Sequence, residues 1–294
     1  MQITERNFDT NVQMLKYKVL KGVVEHFDQG TLESAYRDIP MDIAPGPKPT
    51  TRCCVYKERA IITERVRMAM GGDKENANVI EVLRIACDEC TVNRYHVGSA
   101  CRGCIAHRCE HACPTGAIEV RDGKARINQE KCIECGKCAT ACPYTAIMKY
   151  TRPCENACKI GAISMHRDNS AKIDNDKCIS CGACVYQCPF GAIVDKSFLL
   201  DALTIMRESE NNTKYKVYAV VAPSISSQFS YAKTGQVVTG LRKIGFHSVI
   251  EAALGADMVA YAEAAELVEK GFLTSSCCPA FVAYIKSAFP GLVD

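Results

Sequence analysis

The chain has 294 residues, of which 20 are cysteine; 48% are hydrophobic, 23% are charged, and the formal net charge is +3. This composition allows a buried core, which excludes a disordered chain and a small secreted scaffold held by disulfides for want of one, and a charge of +3 is too small to argue for nucleic acid. Residues 1–20 are charged throughout and lack an apolar signal segment, and no apolar run approaches the roughly 18 residues of a membrane span, so a cytoplasmic setting is expected, where thiols stay reduced and clustered cysteines bind metal or do redox chemistry.

Residues 1–80 form an expected helical N-terminal region. Leu15, Val19, Leu20, Val23, Val24 and Phe27 recur at helical spacing between Met14 and Phe27, and Gly30 is the stop signal. The Pro-rich stretch 41–50 is a predicted connector. A second helix is predicted over 61–70, ending at Gly71-Gly72, and a third from Asn76 to Ala86, delivering Cys87 and Cys90.

Residues 87–188 hold sixteen of the cysteines, within a predicted domain at 81–200. Two segments share the spacing C-x2-C-x2-C-x3-C-P: Cys132, Cys135, Cys138, Cys142, Pro143 and Cys178, Cys181, Cys184, Cys188, Pro189. A near variant, with four residues before its third cysteine, is Cys101, Cys104, Cys109, Cys113, Pro114, and a half motif is Cys154, Cys158. After each fourth cysteine an Ala-Ile pair follows: Ala117-Ile118, Ala146-Ile147, Ala162-Ile163, Ala192-Ile193. Cys109 and Cys113 recur 45 residues later as Cys154 and Cys158, and Cys132 and Cys142 recur 46 residues later as Cys178 and Cys188. The segment is a tandem pair of modules.

This spacing suits 4Fe–4S clusters. A short C-x2-C-x2-C loop wraps three corners of a cube while the fourth cysteine, expected on a following helix start, ligates the neighbouring cube. The proline after it removes a backbone donor, and the Ala-Ile pair is expected to begin a covering strand. The rule groups Cys132, Cys135 and Cys138 with Cys113; Cys101, Cys104 and Cys109 with Cys142; and Cys178, Cys181 and Cys184 with Cys158. Cys154 and Cys188 then lack two ligands, because Ala146 and Lys149 stand where Cys101 and Cys104 would be copied, and Cys87-x2-Cys90 is the unemployed pair with the right spacing. Four clusters are therefore expected, a row suited to conducting single electrons. Structural zinc also uses C-x2-C pairs but does not call for three cysteines in seven residues followed by C-P; a disulfide framework disagrees with the expected compartment, and a radical-SAM loop fails at Gly161. His107 and His111 flank Cys109 as bystanders, and Cys53-Cys54 are expected to be structural thiols.

From residue 213 the pattern changes to an α/β one. Lys216 to Ala222 is a predicted buried strand; helices are predicted over Val237–Ile244, over Asp257–Lys270 before Gly271, and from Pro279 through Phe289. Here Thr274-Ser-Ser-Cys277-Cys278-Pro279 resembles the first active-site motif of FeFe hydrogenases, Val221-Ala222-Pro223-Ser224 resembles their strand-end motif, and Leu254-Gly255-Ala256-Asp257-Met258 through Glu266-Leu267 resembles their Gly-Ala-Asp helix. With Cys101-Arg-Gly-Cys104 before it, the chain looks most like the divergent group with extra ferredoxin-type clusters.

The resemblance implies an α+β protein: tandem ferredoxin-like 4Fe–4S modules followed, at 213–294, by the first part of an α/β hydrogenase catalytic domain. It implies Cys278 as a ligand of the H-cluster cube, Cys277 as the proton-passing thiol beside the di-iron site, Glu263 and Glu266 as the continuation of that route, and Ala222, Pro223 and Ser224 as contacts to the di-iron ligands. A thiol can both give and take a proton, and Glu263 and Glu266, three apart, share a helical face. Phe281 stands where the family usually has Trp, and Ser226 or Ser227 where it often has Arg. The family's second motif, with Pro-Cys and Lys, and its third, Cys-x3-Cys, are not in the sequence, so a fragment is expected, with the H-cluster only in an intact longer chain. Implied partners are ferredoxin or a similar low-potential carrier, with protons and H2 as reactants and an anaerobic setting; the rival is a non-catalytic polyferredoxin-type electron-transfer subunit or a sensor with a hydrogenase-like tail. No Gly-x-Gly-x-x-Gly follows a strand, so no nicotinamide or flavin site is expected.

Overall fold

The computed structural model describes residues 8–90, 94–229, 231–274 and 277–293. Ile80–Asp195 is one compact unit, and the stretches before and after it form another.

Three helices build the N-terminal region: α1 (Asn11–Gln29), α2 (Ala35–Ile43) and α3 (Val55–Ala69). The Thr10 hydroxyl accepts from the Gln13 N–H at 3.2 Å to start α1, and Gly30 ends it at φ 72°. Val19 and Val23 of α1 meet Ala35 and Ile39 of α2 and Ile62, Val66 and Ala69 of α3 in one apolar core. Gly22 permits the crossing of α1 and α2, since a Cβ there would stand 3.0 Å from Ile39 Cγ1. The predicted connector begins later than expected, because Met41–Ile43 belongs to the last turn of α2. Glu58, 4% exposed on α3, organises the loop before that helix: its Oε1 accepts from the Thr50 N–H at 2.8 Å, from both hydroxyls of Thr50 and Thr51, and from the Thr51 and Arg52 N–H groups. Burial works against the charged carboxylate, yet the donors from Thr51 and Thr50 win and hold its pKa below the ordinary value. Cys53 is exposed and Cys54 caps α3 half-buried.

The expected helix over Asn76–Ala86 is not present. Ile80–Val82 is a strand, β1, and Arg84–Ala86 a single 3₁₀ turn. Ile80, Val82 and Leu83 also fit helical spacing, and a distant strand decides between the two: Ile80, Glu81 and Val82 pair antiparallel with Asp195, Val194 and Ile193. The unit continues with β2 (Tyr95–Val97), α4 (Arg108–His111), β3 (Ile118–Arg121), β4 (Lys124–Ile127), α5 (Lys137–Ala141), β5 (Ile147–Lys149), α6 (Pro153–Ala157), β6 (Ile163–Met165), β7 (Ala171–Ile173), α7 (Ala183–Gln187) and β8 (Ile193–Asp195). Each module has a hairpin, β3–β4 or β6–β7, and an antiparallel pair joining its first and last strands, β2–β5 or β1–β8. The modules are nested: the chain lays down β1, builds the whole first module, then returns to finish the second. The four Ala-Ile pairs do begin strands, with Ile118, Ile147, Ile163 and Ile193 each the first strand residue and each buried.

After β8 come α8 (Leu199–Glu208), whose Leu200 packs on the N-terminal core, then β9 (Tyr218–Val221), α9 (Ile225–Gln228), α10 (Thr234–Ile244), β10 (Ser248–Glu251), α11 (Ala252–Lys270) and α12 (Pro279–Ala288). Strands β9 and β10 pair in parallel, Tyr218 with Ser248 through Val221 with Glu251. Among the described residues none after Ser209 is buried. The predicted strand is therefore present but not buried, since a two-stranded parallel sheet has no second layer across its open face. No helix among the described residues is long and apolar enough to cross a membrane.

Candidate metal centres

The fourth cysteines do not start helices. Cys142, Cys158 and Cys188 cap the ends of α5, α6 and α7, while the third cysteines Cys138 and Cys184 and the half-motif Cys154 lie inside their first turns. Each helix is four or five residues long, so one turn carries the chain from one group of thiols to the next.

A left-handed residue, Gly116, Thr145, Gly161 or Gly191, precedes the Ala after each fourth cysteine, at φ between 50° and 64°. That turn directs the Ala N–H onto the sulfur: Ala117 to Cys113 Sγ at 3.2 Å, Ala146 to Cys142 at 3.4 Å, Ala162 to Cys158 at 3.2 Å and Ala192 to Cys188 at 3.2 Å. Amide donors to sulfur favour negative charge there and help set a cluster's potential.

The thiols gather in four groups. Cys101, Cys104, Cys109 and Cys142 line a cavity of about 280 Å³. Cys113, Cys132, Cys135 and Cys138 line a second, smaller one. Cys178 and Cys181 neighbour Cys184, and α6, ending in Cys158, packs against α7. The fourth group is made by nesting: Cys188, Cys87 and Cys90 all lie close enough to Cys154 to disfavour its ionisation. Cys87 occupies in the second module the place of Cys101 in the first. The Ala171 N–H donates to Cys87 Sγ at 3.3 Å as the Ala125 N–H donates to Cys101 Sγ at 3.3 Å, and Leu83 and Gly98 make equivalent backbone bonds to Ala192 and Ala146.

Burial first, and then the neighbouring sulfurs, push the free Cys154 thiol up to about 11, and the same causes push Cys184 up to about 11. Cys109 and Cys138 are raised for the same reasons, whereas at Cys113 burial is outweighed by Thr115 and by the N–H groups of Ala117 and Ile118, and its pKa is lowered. Buried sulfurs that resist becoming bare thiolates are suited to an electropositive metal centre that takes the charge. Four soft donors around the cavity of the first group, with amides aimed at Cys101 and Cys142, fit a 4Fe–4S cube. Among the described residues no three cysteine, histidine or carboxylate groups converge as tightly as a single ion requires.

His107 is held by Glu110, Nδ1 to Oε2 at 2.6 Å, and lines the first cavity. Sequence reading missed this pairing, although the i, i+3 spacing carried the signal.

The residues of the other group lie apart from these thiols in the chain. Ala222, Pro223 and Ser224 are exposed in the turn from β9 to α9. Glu263 and Glu266 are half-buried on α11, and Glu266 Oε1 accepts from Lys270 Nζ at 2.6 Å. Cys277 and Cys278 are exposed before α12, with Cys278 its N-cap. Thr274 is described; residues 275 and 276 of the same motif lie outside the described residues.

Comparison with known proteins divides the chain in the same order. Residues 100–146 match the 4Fe–4S dicluster domain, 171–194 the 4Fe–4S binding domain, and 215–294 the C-terminal domain of the iron-only hydrogenase large subunit. Iron hydrogenase 1 of Clostridium pasteurianum is 30% identical over 197 residues, covering 61% of this chain and 33% of the relative. The chain is an FeFe hydrogenase-like protein with ferredoxin modules. The hydrogenase-like chain is 42% identical to an uncharacterized ferredoxin of Methanocaldococcus jannaschii (53 residues, 18% of this chain and 32% of the relative). It is also 42% identical to the electron transport protein HydN of Escherichia coli K12 (55 residues, 19% and 31%). The chain spans about a third of the length of each of these relatives. The matches support an iron–sulfur electron-transfer function beside a hydrogenase-like domain.

Proposed function

We propose that the hydrogenase-like chain is the electron-relay portion of an FeFe hydrogenase and the beginning of its catalytic domain. The four thiol groups would hold four 4Fe–4S clusters, which would supply single-electron transfer between a low-potential carrier such as ferredoxin and the H-cluster of an intact enzyme for reversible proton reduction to H2. The observation that carries the reading is the matched pair of amide bonds, Ala125 to Cys101 and Ala171 to Cys87. It supports a full set of ligands in the second module, with Cys87 and Cys90 drawn from outside the tandem repeat.

When bound, the clusters supply one-electron redox chemistry. The chain's own residues hold and tune them: thiols supply the charge, the Ala N–H groups moderate it, and the short helices step from one group to the next. In the hydrogenase-type segment Cys278 serves the H-cluster cube, Cys277 moves the proton, and Ala222, Pro223 and Ser224 contact the di-iron ligands. Glu263 and Glu266 continue the proton route, and Lys270 holds the Glu266 carboxylate in place.

The match to HydN favours a second reading, a non-catalytic electron-transfer subunit. Hydrogen evolution by an assembly containing this chain, with all H-cluster ligands present, separates the two. There Cys277→Ala is expected to lower the rate by at least about a hundredfold, the scale of a lost proton-transfer group, with iron content unchanged. Wild-type assembly without hydrogen turnover supports the second reading, and a fully active Cys277→Ala variant contradicts the proton role.

A further inference from the structure

The four cysteine groups differ at their mouths. The residues between the first two cysteines are Arg102-Gly103 in one loop, Ile133-Glu134 in the next, Ile179-Ser180 in the third and Asp88-Glu89 in the last. The first loop also has a longer gap before its third cysteine, Ile105-Ala106-His107-Arg108, where the others have Gly136-Lys137 and Gly182-Ala183. The added length is not used for packing: Ile105 is 99% exposed, and Ala106 and Arg108 are exposed beside it.

The loop is nonetheless held. Gly103, at φ 55°, lies against the β3–β4 turn so closely that a Cβ would collide with the backbone of Gly123. With the Ala125 N–H bond to Cys101 Sγ, this contact lays residues 101–103 along 123–125, so Arg102 and Lys124 belong to adjacent backbone segments. The carboxylates nearby are already engaged: Glu110 with His107 at 2.6 Å, Asp122 with Arg126 at 3.3 Å and Glu119 with Arg121 at 3.1 Å. Arg102, Arg108 and Lys124 have no ion-pair partner among the described residues. Arg102, Arg108 and the 54%-exposed Tyr144 line the cavity of Cys101, Cys104, Cys109 and Cys142.

We propose that Arg102, Ile105, Arg108, Lys124 and Tyr144 form the docking surface for an acidic electron carrier of the ferredoxin type. The proposal rests on the relay reading above and names where the carrier meets it. The occupant follows from charge. Each oxidised cube with four thiolates carries a formal charge of about −2, so a small carrier built of such modules is acidic. Unneutralised cations around an exposed aliphatic side chain supply both parts of a transient redox interface, steering at the rim and an apolar centre. The other three mouths have no arginine or lysine between their first two cysteines. On contact one electron leaves the reduced carrier, which is oxidised, and reduces the cluster held by Cys101, Cys104, Cys109 and Cys142; no bond forms or breaks.

The test mixes the anaerobic, iron-loaded chain with a reduced, acidic 2[4Fe–4S] ferredoxin in stopped flow and follows cluster bleaching across ionic strength. The combined variant Arg102→Glu, Arg108→Glu, Lys124→Glu is expected to lower the second-order rate by about tenfold or more at low salt. The difference should close as salt rises, and reduction by dithionite and iron content should stay unchanged. Ile105→Ala is expected to slow the reaction several-fold without altering its salt dependence. A control of equal charge change on the second module, Lys159→Glu, Arg167→Glu, Lys172→Glu, should have a much smaller effect. Equal losses in the two charge variants, or no loss in either, would overturn the docking surface while leaving the relay intact. An unmodified chain that neither donor reduces would overturn both.

Discussion

Replacing Cys87 and Cys90 together by alanine should remove one cluster and leave the others, lowering iron and acid-labile sulfide from about sixteen of each per chain to about twelve. A large effect is expected because, in the proposed relay, these two residues would supply half of a ligand set whose other half, Cys154 and Cys188, lies at least 64 positions further along the chain. It is confined because the other three groups draw nothing from Cys87 or Cys90. The paired amide bonds to Cys87 and Cys101 place the two cysteines in equivalent surroundings, one per module. Anaerobic iron and sulfide analysis checks this. An unchanged content would remove Cys87 and Cys90 from the ligand set, and a fall to about eight would mean that the second module depends on them as a whole.

Stripping the iron is expected to unfold Ile80–Asp195 while the N-terminal helices persist. The fully buried apolar centre of the first module is small, Ile118, Ala125 and Ile147 with the thiol of Cys138. The strands have three or four residues and the helices four or five, too short to stand alone. Cys138 lies in that centre, with Cys101, Cys109, Cys113 and Cys142 packed against it, so clusters held there would complete the interior, and metal binding and folding would become one event. Helices α1 to α3 have an aliphatic core of their own. Limited proteolysis after anaerobic chelation should cut within 80–195 and spare 11–69. Resistance of both stretches would contradict a cluster-built interior. Acid should promote the loss. The stripped thiols bind protons that the loaded ones do not, and Cys154 and Cys184, pushed up to about 11, remain protonated across the neutral range. Loss of the iron therefore takes up protons, and the loaded state loses stability as pH falls.

Much of this was legible in the residues. The cysteine spacing and the 45- and 46-residue echoes located the two modules, and the Ala-Ile pairs marked where strands begin. Thr10 and Gly30 bracket α1 by local chemistry that any reading of caps detects. What was not legible depended on distant partners. Ile80-Glu81-Val82 pairs with residues 193–195, and nothing between 76 and 86 announces it; the local pattern favours a helix equally well. The nesting of one module inside the other follows from that pairing and was hidden with it. The fourth cysteines end helices because each short helix starts just before the third cysteine and one turn carries the chain to the fourth. Glu58 looks like a surface residue of α3, and only the folded loop reveals the donors of Thr50, Thr51 and Arg52 around its carboxylate. In the hydrogenase-type segment the helix starts and stops were legible through Pro279 and Gly271, and the i, i+4 spacing of Glu266 and Lys270 carried the signal for their ion pair.

Charge links the composition to the proposed relay. The apoprotein is mildly basic at +3, and the four oxidised clusters proposed, of about −2 each, would make the loaded chain acidic. The most direct test of four clusters working as a relay is the number of electrons the iron-loaded chain accepts. Anaerobic coulometric titration, read by cluster bleaching, should register about four electrons per chain, one per cube, all returned on reoxidation. An uptake of two or fewer by a fully iron-loaded chain would contradict the four-cluster relay.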